Sequence, residues 1–127
     1  MHEDSKHFPF GKETYELIGC GMEVLRELRG GLFEKPYENA MIVEFRIRGI
    51  PFQQQPSYRV HYKGVDVGKY VPDLVAYGQV IVDLKVIDRI GQNEIAQMLN
   101  YLRITRLPVG LILNFKHQDL EYKRVVL

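Results

Sequence analysis

The chain has 127 residues, 46% hydrophobic and 11% aromatic, which suits one globular domain able to bury about two thirds of its unfolded surface. Seventeen basic against sixteen acidic residues give a net charge of +1, so any surface for nucleic acid has to be local. The lone Cys20 excludes an intrachain disulfide, and four scattered histidines offer no zinc-type spacing.

Met1 to Phe10 reads as a loose lead-in. His2, Glu3, Asp4, Lys6 and His7 stand where a signal peptide needs an apolar run, and no stretch approaches ~18 apolar residues. The expectation is a cytoplasmic protein with no membrane segment.

From about Thr14 to Arg29, Leu17, Ile18, Val24, Leu25 and Leu28 recur at helical spacing. Gly21 on the same stripe predicts close packing against another element, and Cys20 reads as a reduced core thiol. Gly30-Gly31 stops this helix. A second runs from about Phe33 to Arg48, with Pro36 tolerable only near its start, Glu34 in or just before its first turn, and Gly49 and Pro51 at its end.

After Gln53-Gln54-Gln55-Pro56, Tyr58, Val60 and Tyr62 alternate with Arg59, His61 and Lys63, a strand with one wet face that turns at Lys63-Gly64. Tyr70 to Ala76 and Val80 to Val86 read as two further strands, and Tyr77-Gly78-Gln79 is short enough to join them as an antiparallel hairpin. A helix follows from Gly91 or Gln92 to about Arg103, with Ile95, Leu99 and Leu102 on one face and Asn93 as its candidate cap. Val109 to Phe115 suits a central strand, and Leu120 to Val126 returns after Lys116-His117-Gln118-Asp119. The element order is ααβββαββ.

The chemistry concentrates in Pro72-Asp73 and Asp83-Leu84-Lys85. Alternation along the strand puts Ile81, Asp83 and Lys85 on one face and Val82, Leu84 and Val86 on the other. An acid and a lysine on an otherwise apolar strand are costly to bury without partners or a metal. Two carboxylates and an ammonium at one point of a sheet are what a Mg²⁺-dependent phosphodiesterase requires. The alternative is an ordinary Asp-Lys pair on a solvated face. His61 and His117 lack a paired nucleophile or a second ligand, so triad and zinc readings have no support.

Gly31-Leu32-Phe33-Glu34-Lys35-Pro36-Tyr37, the two acidic segments, and Gln97-Met98-Leu99-Asn100-Tyr101-Leu102, in that order, resemble the small GxxExxY proteins of the PD-(D/E)XK nuclease superfamily, over about Thr14 to Leu127. The resemblance implies an α/β, restriction-endonuclease-like domain with a mixed four- or five-stranded sheet flanked by helices. It implies a nuclease that hydrolyses phosphodiester bonds with Mg²⁺ or Mn²⁺ and a metal-activated water. Asp73 and Asp83 then resemble the metal ligands, the Leu84 backbone carbonyl a third, and Lys85 the catalytic lysine. Glu34 resembles the helix-borne acid of the metal's outer shell or a second ion, with Glu38 one turn on as its competitor. Tyr37, on Glu34's side of the helix, has a ring that can pack and a hydroxyl within reach of the site, and a structural role is expected over a catalytic one. Gln97 and Tyr101, four apart on one helical face, resemble the Gln-x-x-x-Tyr element of the exonuclease domains in bacterial recombination helicases, which contacts nucleic acid.

The strand position usually held by Glu is Asp83 here, one methylene shorter. Nucleic acid, DNA foremost, is the implied partner, and cutting both strands with one site per chain favours a homodimer. Arg103, Arg106, Lys116, Lys123 and Arg124 form a phosphate rim if they converge and are otherwise ordinary solvated charges, the reading favoured here. The alternative for the whole chain is a catalytically weak or inactive module of the same fold that binds nucleic acid or protein.

Overall fold

The computed structural model describes residues 9–127, so the expected lead-in lies outside the described residues up to residue 8. Helix α1 spans Gly11–Leu28 and α2 spans Glu34–Arg48. Five strands follow, β1 (Phe52–Gln54), β2 (Tyr58–Tyr62), β3 (Val65–Tyr70), β4 (Leu74–Ala76) and β5 (Val80–Lys85). Helix α3 (Gln92–Thr105) then leads to β6 (Val109–Asn114) and β7 (Glu121–Val126). The expected order stands, with β1 and β3 added, and the architecture is the restriction-endonuclease-like mixed sheet flanked by helices.

The main sheet has the order β1-β4-β5-β6-β7. Only β5 and β6 run parallel, because α3 carries the chain across between them, and the other pairs are antiparallel. Strand β6 is buried along its whole length, as its continuous apolar run requires. Tyr77 and Gly78 both have positive φ, and Gln79 N–H donates to Ala76 O at 3.0 Å. That tight turn fixes the β4–β5 register.

Alternation along β5 divides the core. Val80, Val82 and Leu84 pack with Leu17, Met41 and Phe45 beneath α1 and α2. Ile81 packs on the opposite face with Met98, Leu102 and Ile112 beneath α3. Asp83 and Lys85 continue the Ile81 row, so they lie half-buried on the face that α3 covers.

Close approaches at glycine seat the helices. A Cβ on Gly21 would lie 3.0 Å from Leu120 and 3.3 Å from Leu113, the tight packing expected of α1. A Cβ on Gly30 would lie 2.7 Å from the carbonyl oxygens of Lys116 and His117, so the end of α1 rests against the β6–β7 turn. Leu28, expected on the buried stripe, is exposed.

Two local readings are corrected, the strand from Tyr70 to Ala76 and the Asn93 cap, and the strand at Tyr58 finds its partner. The run from Tyr70 to Ala76 is broken at Val71-Pro72-Asp73: Pro72 has no N–H for a ladder, so Tyr70 ends β3 and Leu74 begins β4. Strand β2 pairs with β3 in a separate two-stranded ribbon, turning at Lys63-Gly64, both with positive φ. Asn93 lies inside α3 and does not cap it. Gly91 is the cap residue, and its N–H donates to Glu94 Oε1 at 2.7 Å.

Candidate active site

The Asp73 carboxylate faces β5. Its Oδ2 accepts the backbone N–H of Leu84 at 2.9 Å, at a level where β4 has not yet begun, since the β4–β5 ladder reaches only Leu74 opposite Val82. In an extended strand the N–H and C=O of one residue point to the same edge, so the Leu84 carbonyl is on Asp73's side. The neighbouring Lys85 carbonyl is turned the other way and accepts Phe115 N–H at 2.9 Å.

Asp83 sits across from Asp73 with its side chain 15% exposed, and Lys85 Nζ lies 3.5 Å from Asp83 Oδ2. Burial pushes the Asp83 carboxyl up to about 7, and the nearby charge and hydrogen bond of Asp73 add to the rise while the Lys85 ammonium opposes it. A carboxyl whose titration is raised toward neutrality beside a second carboxylate and a lysine has the electrostatics of a working site.

Helix α3 closes the other side. Lys85 Nζ donates to Gln97 Oε1 at 3.4 Å. One turn on, Tyr101 stacks on Tyr70 with ring centroids 3.8 Å apart. Burial raises both phenols above their ordinary range, and the Asp83 and Asp73 carboxylates raise them further. Gln97 and Tyr101 therefore lie with the acidic pair. Tyr70 is an addition that sequence reasoning missed: its one local signal is its place just before Val71-Pro72-Asp73, and its partner arrives only when α3 docks.

Glu34 opens α2 in the first turn, where the helix dipole favours an acid. It is exposed and lines a shallow groove with Gly31, Leu32, Phe33 and Val86, the residue after Lys85. Glu38 is the buried acid, 5% exposed. Its Oε2 accepts from Gln54 at 2.7 Å, Gln55 at 3.1 Å and Lys35 at 3.2 Å. Gln55 N–H in turn donates to the Asp73 carbonyl at 2.9 Å, so Glu38 braces the segment that carries Asp73.

Tyr37 is structural, as expected, although its hydroxyl does not reach the site. It donates to Arg29 O at 2.5 Å and accepts Leu32 N–H at 3.0 Å, while its ring stacks on Phe115. Tyr37 thus ties down the α1–α2 connection and does not reach the acidic pair.

The donor set suits a hard divalent ion. Two carboxylates and a strand-edge carbonyl are oxygen ligands, and Mg²⁺ characteristically uses one or two carboxylates while phosphate and water complete its shell. Among the described residues no group of three or more His, Cys, Asp and Glu side chains comes together as a metal site, so neither Glu34 nor Glu38 joins the pair directly. Also among the described residues, no helix is long and apolar enough to cross a membrane.

A family model described as the PD-(D/E)XK nuclease superfamily matches residues 11–125. Comparison with curated proteins and with solved structures gives no match.

Proposed function

Since the chain belongs to the PD-(D/E)XK nuclease superfamily, we propose that it is a Mg²⁺- or Mn²⁺-dependent nuclease of the GxxExxY type, a single cytoplasmic domain acting on nucleic acid, DNA foremost. The observation that carries this reading is the convergence of Asp73, Asp83 and Lys85 at the end of β5. The Gly31 to Tyr37 segment supports the finer family assignment.

Asp73 and Asp83 would hold the ion, with the Leu84 carbonyl on the same strand edge. When bound, the ion supplies positive charge that makes a water nucleophilic and draws electron density from the phosphate oxygens. Asp83 gives up its proton on binding, which removes the like-charge conflict with Asp73. Lys85, held between Asp83 Oδ2 and Gln97 Oε1, directs its ammonium at the charge that builds on the phosphate during in-line attack. Tyr101 and Tyr70 wall the site on the α3 side and exclude water from that flank. Glu34, at the groove beside Val86, acts through water and not as a direct ligand.

The test pairs a Mn²⁺ titration with cleavage assays on single- and double-stranded DNA and RNA, comparing wild type with Lys85→Ala. Saturable Mn²⁺ binding and Lys85-dependent cleavage are expected. Absence of both would leave only an inactive scaffold that kept the fold.

A further inference from the structure

A second, basic site lies beside the acidic one. The β2–β3 ribbon does not join the main sheet. It packs against α3, enclosing a groove of about 270 Å³. Arg59, His61, Arg103 and Arg106 line it over a floor of Val60 and Ile104, with no carboxylate among the lining residues. Arg59 is partly neutralised, since its guanidinium pairs with Asp66. Arg103 donates to the neutral Asn100 amide at 3.0 Å. Among the described residues neither Arg103 nor Arg106 forms an ion pair, and both are exposed. In a chain of net charge +1, a groove with two uncompensated guanidiniums is a local anion site of the kind global charge does not reveal.

The groove and the acidic pair both border α3, at different levels along it. Gln97 touches Lys85 at 3.4 Å, Arg103 lies six residues further along the same helix, and Arg106 is the residue that caps its C-terminal end. At 1.5 Å per residue the rise along the axis from Gln97 to Arg103 is roughly 9 Å, with Arg106 just beyond. A nucleic-acid strand carries one phosphate per about 3.4 Å of axis, so the interval spans roughly three or four phosphates. Arginine forks match phosphate oxygens with two hydrogen bonds, which holds a backbone in register.

Building on the nuclease reading, we infer that the groove between the β2–β3 ribbon and α3 is a backbone subsite for the substrate strand, in which Arg103 and Arg106 grip phosphates a few nucleotides from the bond over Asp73 and Asp83. Arg59 and His61 form its far wall. The β2–β3 ribbon thereby becomes a substrate clamp, and an isolated two-stranded ribbon needs the packing that α3 provides.

The test uses the full chain silenced by Lys85→Ala and follows its binding to a fluorescent single-stranded DNA oligonucleotide over a potassium chloride series. Adding Arg103→Ala with Arg106→Ala should weaken binding and make the slope of log affinity against log salt less negative by about 1.4, two phosphate contacts at about 0.7 each. Arg103→Lys with Arg106→Lys should keep the parental slope, which separates charge from any folding defect. Lys12→Ala, exposed on α1 across the sheet, should keep it too. An unchanged slope in the alanine pair, or no binding by the parent, overturns the subsite. The nuclease reading is judged separately, by Lys85-dependent hydrolysis of bis(p-nitrophenyl) phosphate. That diester is too small to span the interval, so no hydrolysis by wild type, or hydrolysis that Lys85→Ala leaves intact, would sink the catalytic reading while the salt slopes still decide the groove.

Discussion

Asp73 and Leu84 are joined by a 2.9 Å hydrogen bond from the Leu84 N–H to the Asp73 carboxylate, across the gap where β4 falls short of the end of β5. One oxygen of this acid is a structural acceptor for strand backbone, leaving the other for a ligand. The same bond turns the Leu84 carbonyl toward the site.

Asp73→Ala should therefore cost stability as well as activity, because Leu84 is buried and its N–H would lose its acceptor. The expected loss is about 1–3 kcal/mol, the penalty of an unsatisfied buried donor. Asp73→Asn keeps an acceptor oxygen and should retain most of the stability while losing Mn²⁺ binding. Denaturant melts of the two variants separate the roles, and equal stability would show that the bond contributes nothing.

Asp83 sets a pH dependence whose sign follows from its raised folded value of about 7 against an ordinary 3.8. Between those values the folded chain retains a proton that the unfolded chain has lost, so metal-free stability falls as pH rises from about 4 to about 7. Asp83→Asn should flatten this slope and raise the melting temperature above pH 7, by roughly 4 °C for each kcal/mol recovered. Thermal melts in EDTA at pH 5 and pH 8 check it. An identical pH slope in wild type and variant would refute the assignment.

Ion binding should carry the same signature. Below pH 7 the ion displaces one proton from Asp83, so Mn²⁺ affinity should fall about tenfold per pH unit. Calorimetry in two buffers of different ionisation enthalpy counts that proton, and a pH-independent affinity would rule out Asp83 as a ligand.

Lys85→Ala is expected to lower turnover about 10²–10³-fold, the usual effect of removing one preorganised charge from a reacting centre. Mn²⁺ affinity should stay level or rise, since the ammonium competes with the ion for the same carboxylates. Lost metal binding with preserved turnover would reverse the assigned roles.

Gly110→Ala tests how α3 is held over the site. A Cβ there would stand 2.3 Å from the sulfur of fully buried Met98 and 2.5 Å from its Cγ, an overlap that costs about 1–3 kcal/mol in a packed core. Met98 adjoins Gln97 in sequence, so cleavage should drop together with stability. Gly110→Ala combined with Met98→Ala should recover both in part, and failure to recover either would locate the strain elsewhere.

What the sequence conveyed follows from the range of the forces involved. The period-two alternation of Ile81, Asp83 and Lys85 and the tight turn at Tyr77-Gly78 are local, and both stand in the structure. Pro72 carried a readable break that the apolar character of Tyr70 to Ala76 obscured. The pairing of Tyr58 with Tyr70 is less legible, because a ribbon's partner depends on which edge is free. Strand β1 comes from a glutamine-rich segment with no β pattern and forms because the edge of β4 accepts it. The burial of Glu38 and the Tyr70–Tyr101 stack depend on groups far apart in the chain, and no spacing announces them.

The Tyr77-Gly78 turn has a kinetic consequence. Asp73 and Asp83 are ten residues apart, and a loop of that length closes in about 10–100 ns with a small entropic penalty. The two mutually repelling acids are thus assembled by a local hairpin, before any distant segment need arrive, whereas Gln97 and Tyr101 depend on the later docking of a helix. Slippage of that hairpin by one residue would turn Asp83 and Lys85 beneath α1 and α2, exchanging the reactive face for the oily one.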